Sequence, residues 1–108
     1  MTIPDRRREP RFRMGFHMRL WMDGLNLWFK GISVNMSQMG AAIRTEYWSF
    51  FQVDDETIVT CFLPPAFTGQ NGSIALRGDG TIRRIDPVNE CVAVEFLKSF
   101  RQFERCDD

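Results

Sequence analysis

The sequence is poor in the residue types that most catalytic and metal sites require. It has one histidine, His17, and three cysteines, Cys61, Cys91 and Cys106, which lie far apart without a Cys-x-x-Cys pair. This spacing does not favour a zinc site, and free thiols are the simpler interpretation. His17 lies within a strand-like pattern and is better explained as an exposed strand residue than as a general base. We therefore expect no enzyme, no metal and no cofactor.

Long apolar runs and a net charge are also missing. No segment is long enough to span a membrane, and Met1 to Ile3 lead into Pro4 and charged residues instead of an apolar signal segment. We expect a cytoplasmic protein without membrane insertion. The 14 basic and 14 acidic residues cancel, which argues against binding nucleic acid through general electrostatics. The length of 108 residues suits one domain.

What the sequence does have is an arginine-rich beginning. Residues 6–13 contain one acid, Glu9, and five arginines, namely Arg6, Arg7, Arg8, Arg11 and Arg13. Pro4 and Pro10 disfavour a regular helix or a central strand in this region. Residues 1–13 are therefore interpreted as an arm. It is either a solvated basic tail or a loop that becomes ordered over an anionic ligand.

From residue 16 onward, the pattern is that of a β domain. Phe16, Met18 and Leu20 occupy alternate positions, which predicts a strand with one buried face. Asp23-Gly24 predicts a hairpin turn, and Gly31 suggests a bulge or a bend in the second strand. Further strands are predicted over 40–45, 57–63 and 91–97. Residues 73–85 form one long strand interrupted at 78–80, or two short strands.

The C-terminal residues have a helical pattern. Ser99 followed by Gln102 is a capping-box spacing, and Phe100, Phe103 and Cys106 would then lie along one face. We expect a short helix that covers the barrel.

A polar motif, Asn35-x-Ser37-x-x-Gly40, follows the second predicted strand. Asn35 and Ser37 can present hydrogen-bonding groups to one side, while Gly40 can take positive φ or allow close approach of a backbone or flat ligand. Taken alone, the motif is better explained as a simple turn. Arginine forks upstream change that balance, because guanidinium groups match phosphate oxygens and the guanine edge. The combination suits a phosphorylated guanine nucleotide.

Arg7-x-x-x-Arg11 followed by Asn35-x-Ser37-x-x-Gly40 resembles the paired signature of the PilZ domain family, whose members bind cyclic di-GMP. The resemblance implies a mainly β fold, a six-stranded antiparallel barrel with a short C-terminal helix and a flexible N-terminal arm. Residues 1–13 would be the ligand-binding arm and 14–108 the barrel. The ligand-binding residues it implies are Arg7, Arg11, Asn35, Ser37 and Gly40.

The resemblance also implies auxiliary contacts and an output. An arginine at the position of Arg6 goes with capture of two stacked ligand molecules in this family, and Arg8 and Arg84 are further candidates for ligand contact. Ligand binding would order the arm and change the surface offered to a downstream protein partner. Motility, pili, biofilm and exopolysaccharide are all outputs that the family allows.

An aromatic stretch at residues 46–51 is the remaining unusual feature. We favour a cap on the open end of the barrel, the alternative being a partner surface formed by Trp48, Phe50 and Phe51. The second function considered is accordingly a PilZ-like interaction module that binds no nucleotide. An RNA-binding barrel is less favoured, because the charge is neutral and no stacking platform is evident. A flavin-binding barrel is the least favoured of these functions.

Overall fold

The computed structural model describes residues 15–69 and 72–106. The strands are β1 (His17–Met22), β2 (Leu27–Met36), β3 (Gly40–Arg44), β4 (Glu56–Leu63), β5 (Ile74–Asp86), β6 (Cys91–Phe96) and β7 (Glu104–Cys106). Two 3-10 turns, Trp48–Phe50 and Phe100–Gln102, and a one-turn helix α1 (Pro65–Thr68) complete the elements. Among these residues, no helix combines the length and apolar character needed to cross a membrane.

Six of the strands close into a barrel. They follow the order β4-β1-β2-β3-β6-β5, and β5 pairs back with β4. Every pair is antiparallel. Closure is possible because β5 is long: residues 74–81 pair with β4 and residues 80–86 pair with β6. The six-stranded antiparallel barrel expected from the sequence is confirmed, with β7 added outside it on residues 75–77.

Alternating side chains explain why these segments form strands. Phe16, Met18 and Leu20 are buried, as are Val92 and Val94 on the opposite side of the barrel. Residues between them face outward. Each strand therefore buries one apolar face in a common core, which is the main source of stability in a small β domain.

The glycines within β2 and β5 make room for neighbours and do not interrupt the strands. Gly31 pairs with Met18 in unbroken register, so the bulge predicted there is wrong. A Cβ at Gly31 would lie 2.6 Å from Ile43 Cγ2, which explains the glycine. β5 likewise runs through residues 78–80 without the expected interruption. Position 78 needs glycine because a Cβ there would enter the Phe103 ring.

The expected C-terminal helix is also wrong. Ser99 makes no side-chain cap bond, and the helical segment is only the 3-10 turn Phe100–Gln102. The chain then becomes β7, which pairs with residues 75–77 of β5. The physical reason is that Phe103 is buried over the gap left by Gly78, which directs the following residues along β5. The segment still covers the barrel.

The aromatic stretch mainly caps the barrel. Phe29 of β2 is contacted by the rings of Tyr47 at 4.8 Å, Phe50 at 5.3 Å and Phe51 at 5.8 Å between centroids. Phe51 is buried in the core, so the proposal that it belongs to a partner surface is wrong. Trp48 is half-buried against the core, and Phe50 is the exposed aromatic side chain of the stretch.

Candidate functional site

Two β-bulges shape the outer face of the barrel. The register shifts between Ser33 and Asn35 in β2 and between Ile82 and Arg84 in β5. At each bulge, two consecutive residues leave the core: Val34 with Asn35, and Arg83 with Arg84. Bulges re-aim side chains in this way because the extra residue breaks the period-two alternation. Asn35 and Arg84 both reach the outer face as a result.

Between the two bulges lies a row of small side chains. Asn35 pairs with Ala42 of β3, and Ala42 pairs with Ala93 of β6. Ala93 pairs in turn with Arg84 of β5. Four neighbouring strands thus present a low floor of two alanines, with an amide at one side and a guanidinium at the other. A flat molecule can lie on such a floor without meeting a bulky side chain.

The motif corner lies at one side of this floor. The Ser37 N–H donates to the Gly40 carbonyl oxygen at 2.8 Å, and the Met39 N–H donates to Ser37 Oγ at 3.3 Å. Gly40 begins β3 and pairs with Glu95 of β6. Its φ is not in the left-handed region. This position needs glycine because the backbones of β3 and β6 approach closely, and a Cβ would lie 2.6 Å from the Val94 carbonyl oxygen.

Gln38 ties the corner to the C-terminal turn. Its backbone carbonyl accepts the Phe100 N–H at 2.6 Å, and its side-chain Oε1 accepts the Arg101 N–H at 3.0 Å. Met39 adds a third bond, since its carbonyl accepts the Phe96 N–H at 2.8 Å. The corner is therefore held on two sides, by β6 and by the turn that follows it.

The two arginines of the β5 bulge have different surroundings. Arg83 forms ion pairs with Asp54 and Glu95, each at 3.3 Å, and all three side chains are largely exposed. Arg84 lies near Asp86, whose pKa is lowered mainly by the side-chain hydrogen bond from Asn89, with a smaller contribution from Arg84. Exposed ion pairs of this kind contribute little to stability. Both guanidiniums can therefore turn toward an anion at low cost.

Together these features form a shallow cleft of about 460 Å³ on the barrel face. Its lining includes Asn35, Ser37 and Gly40 at one side, and Arg83 and Arg84 at the other. Hydrogen-bonding groups opposite guanidiniums, over an apolar floor, match a flat base that carries phosphate. Within residues 15–69 and 72–106, no His, Cys, Asp and Glu side chains are grouped so as to hold a metal ion.

The structure brings four of the predicted site residues to one cleft: Asn35, Ser37, Gly40 and Arg84. The sequence suggested that Asn35 follows the end of β2, but Asn35 lies within β2. The other predicted contacts, Arg6, Arg7, Arg8 and Arg11, lie outside the described residues.

Sequence reasoning missed the cleft residues Arg83, Ala42 and Ala93. A signal for Arg83 was present, because Ile82 and Ile85 are apolar residues three apart with two arginines between them. Such spacing indicates a bulge with two outward residues. No comparable local signal marks the alanines, because their role depends on which strands become neighbours.

Comparisons with known proteins agree with this fold. The family model for the PilZ domain matches residues 5–105. Comparison with curated protein sequences found no significant match.

Two solved structures are similar in fold. One is the Bacillus subtilis inhibitor of motility, MotI/DgrA, with a TM-score of 0.68 and 19% identity over 89% of this chain. The chain spans 44% of that protein's length. The other is the PilZ domain of YcgR from Escherichia coli with c-di-GMP, with a TM-score of 0.59 and 17% identity, covering 86% of this chain and 79% of that one.

Proposed function

The chain belongs to the PilZ domain family, and from this premise we propose that it is a receptor for cyclic di-GMP. The ligand lies on the outer barrel face between Asn35 and Arg84. Asn35 and Ser37 bond to a guanine base and a phosphate, and Gly40 keeps the corner close to β6. The receptor catalyses no reaction. It works in the cytoplasm by changing the surface that it offers to a partner protein.

The observation that carries this proposal is the row from Asn35 through Ala42 and Ala93 to Arg84. Only a pair of bulges, one in each outer strand, brings an amide and a guanidinium to the two sides of an apolar floor. Arg84 is exposed and Asn35 is partly exposed on the outer face of the barrel, so a ligand can contact both. The arrangement suits a ligand whose flat base lies on the floor while its phosphates meet the guanidinium.

The position of the first described residues supports a role for the arm. The Ser33 N–H donates to the Phe16 carbonyl oxygen at 3.0 Å, and the Phe16 N–H donates to Ser33 Oγ at 2.9 Å. Ser33 precedes Asn35 by two residues, so the chain before Gly15 starts beside the cleft. Four residues of chain can span up to about 14 Å, so the proposed contact of Arg11 with the cleft is compatible with the length of the chain before Gly15.

We assign residues 1–13 to a ligand-binding arm and residues 14–108 to the barrel. Arg7 and Arg11 supply forks to the guanine edge and the phosphates, with Arg8 as an auxiliary phosphate contact. Arg6 stacks on the bases of a second ligand molecule. The free arm is drawn onto the cleft by the ligand, which couples binding to a change of surface.

Isothermal titration calorimetry with cyclic di-GMP tests the site directly. Arg7→Ala and Arg11→Ala should each weaken binding by about 2 kcal/mol or more, the cost of charge-assisted bonds left unmade. Ser37→Ala and Arg84→Ala should weaken it by about 1 kcal/mol each. Arg105→Ala is the matched control, because Arg105 is exposed on β7 and lies outside the cleft.

The titration has outcomes that contradict the proposal. Wild-type affinity in Arg7→Ala and Arg11→Ala would show that the arm is not part of the site, and equal losses in Arg105→Ala would show that the effect is general charge. One ligand per chain would remove the stacking role of Arg6. No binding by the wild-type protein would overturn the receptor function and favour an interaction module that binds no nucleotide.

Regulation of motility is the output that we favour for this receptor. The fold resembles that of a protein described as an inhibitor of motility. Pili, biofilm and exopolysaccharide remain the other outputs of the family. Deletion of the gene in its native bacterium, followed by swimming and surface-attachment assays, would distinguish these outputs.

A further inference from the structure

A second and larger groove lies at the end of the barrel where β1 ends and β4 begins. Its volume is about 840 Å³. The walls come from the β1–β2 turn, the residues after the Trp48–Phe50 turn, the start of β4 and the middle of β5, with Leu97 at one edge. The groove shares no lining residue with the Asn35 cleft.

The lining of this groove is acidic. It contains no lysine, arginine or histidine, and its five acidic residues are Asp23, Asp54, Asp55, Glu56 and Asp79. Arg83 pairs with Asp54 at 3.3 Å from outside the groove. The chain as a whole is neutral, so this end of the barrel has a charge that the composition does not suggest. A concave wall of one charge sign concentrates the field and attracts the opposite charge.

Large apolar side chains are exposed in the same groove. Leu97 is 67% exposed and Phe50 is 52% exposed, and Trp21, which also lines the groove, is half-buried. The acidic side chains alone would suit a solvated surface, but they do not explain exposed leucine and phenylalanine within a groove. Apolar anchors surrounded by charge are typical of protein interfaces.

We propose that this groove is a docking site for a cationic, amphipathic segment of a partner protein. Lysine or arginine side chains of that segment meet the acidic lining, and an aliphatic or aromatic side chain between them packs on Leu97 and Phe50. Because the lining is acidic, the partner segment must carry positive charge. Because leucine and phenylalanine are exposed in the groove, the segment must also carry an apolar side chain. The inference does not depend on cyclic di-GMP binding.

The arginine arm of the chain itself is the nearest competing occupant. Its charge is suitable, but its origin is at the opposite end of β1. Gly15 precedes Trp21 by six residues, which is about 20 Å along a strand. Arg11 and Arg13 lie four and two residues before Gly15 and can reach at most about 14 Å from it, so only Arg6, Arg7 and Arg8, seven to nine residues before Gly15, have the chain length to reach the groove. A partner segment meets no such limit, and the arm is left as an outcome of the test.

Fluorescence anisotropy with the full chain provides the test. The probe is a labelled peptide that repeats Lys-Leu-Lys-Phe three times, compared with one that has Glu in place of Lys and one that has Ser in place of Leu and Phe. Only the first should bind, and its affinity should fall as salt is added. The combined variant Asp23→Asn, Glu56→Gln, Asp79→Asn should bind it at least ten-fold more weakly, and Leu97→Ser at least five-fold more weakly.

A matched variant controls for net charge. Glu46→Gln, Glu90→Gln and Glu104→Gln remove the same number of exposed acidic side chains elsewhere on the barrel and should leave binding unchanged. Equal losses in this control, or binding of the Ser-containing peptide as tight as that of the first, would overturn the proposal.

Two competing occupants are tested in the same assay. A labelled peptide of residues 1–14 that binds more tightly than the probe, and whose binding is lost in the groove variant, would assign the groove to the arm. A dimer in analytical ultracentrifugation that disappears in the groove variant would assign it to a second copy. Either result would overturn the proposal of a partner segment.

Discussion

Gly40 lies where the backbones of β3 and β6 are closest. A Cβ there would lie 2.6 Å from the Val94 carbonyl oxygen, and this neighbour is backbone that cannot rotate away. We expect Gly40→Ala to lower the free energy of unfolding by about 1–3 kcal/mol, the usual cost of overpacking. Urea denaturation measures this. Gly24→Ala is the control, because a Cβ at Gly24 meets nothing within 4 Å, and equal losses in both variants would contradict the explanation.

Cys61 gives the core a pH dependence. It is fully buried, and burial raises the pKa of its thiol to about 12. A cysteine in an unfolded chain ionises near pH 8.5, so between about pH 8.5 and 12 the folded state holds a proton that the unfolded state has lost. The free energy of unfolding must therefore fall as the pH rises through this interval, and the contribution of Cys61 is fully present below it.

Removal of this thiol should flatten the alkaline part of the stability profile. We expect the urea midpoint of Cys61→Ala to be lower than that of the wild type at neutral pH, because a core atom is lost, but to decline less between pH 8.5 and pH 11. The slope is the quantity compared. Cys91→Ala at a half-buried position is the control. A decline in Cys61→Ala as steep as in the wild type would contradict the assignment.

At the scale of elements, Gln38 joins the motif corner to the turn Phe100–Gln102. Gln38→Ala removes the side-chain acceptor of the Arg101 N–H and should cost about 0.5–1.5 kcal/mol of stability. Because β7 follows this turn directly, we expect faster hydrogen exchange of the amides of residues 100–106, with the strands of the barrel unchanged. Gln52→Ala, at an exposed position away from the turn, should leave the exchange unchanged. Uniformly faster exchange would indicate global destabilisation instead.

Most strands could be predicted from the sequence because the core needs an apolar residue at every second position. Phe16, Met18 and Leu20 show this alternation, and all three are buried. The Asn35-x-Ser37-x-x-Gly40 motif indicated one side of the cleft for a similar reason, since its spacing is local. Elements defined by their own residues are therefore predictable, even when the partner strand is not known.

Elements that depend on a distant neighbour were not predictable. The capping-box spacing at Ser99 favours a helix locally, but the burial of Phe103 over Gly78 directs the chain into β7. Gly78 lies 25 residues before Phe103 in the sequence, and no residue near Ser99 indicates that the two will meet. The same holds for Ala42 and Ala93, which form the floor of the cleft only because β3 and β6 pair.

At the scale of the whole molecule, the closed barrel leaves little room for a conformational signal. Every strand from β1 to β6 is paired on both sides, and separating any pair would expose core residues such as Ile43 and Val59. A ligand that binds the Asn35 cleft, as proposed, would therefore act on what lies outside the barrel. In the proposed function, the arm and the turn held by Gln38 are the elements through which binding would change the surface.

If the barrel does not open, the binding energy of cyclic di-GMP should appear largely as added stability. A ligand at 100 times its dissociation constant adds about 2.7 kcal/mol to the folded state. For a domain of this size, each kcal/mol raises the Tm by roughly 4–8 °C, so we expect a rise on the order of 10 °C in differential scanning calorimetry.

GMP at the same concentration should give a much smaller rise, because it lacks the second base and the bridging phosphate. Ser37→Ala should need a higher concentration of cyclic di-GMP for the same rise. A ligand that binds in calorimetric titration but leaves the Tm unchanged would have comparable affinity for the unfolded chain, which would place its contacts on the arm alone and not on the barrel face.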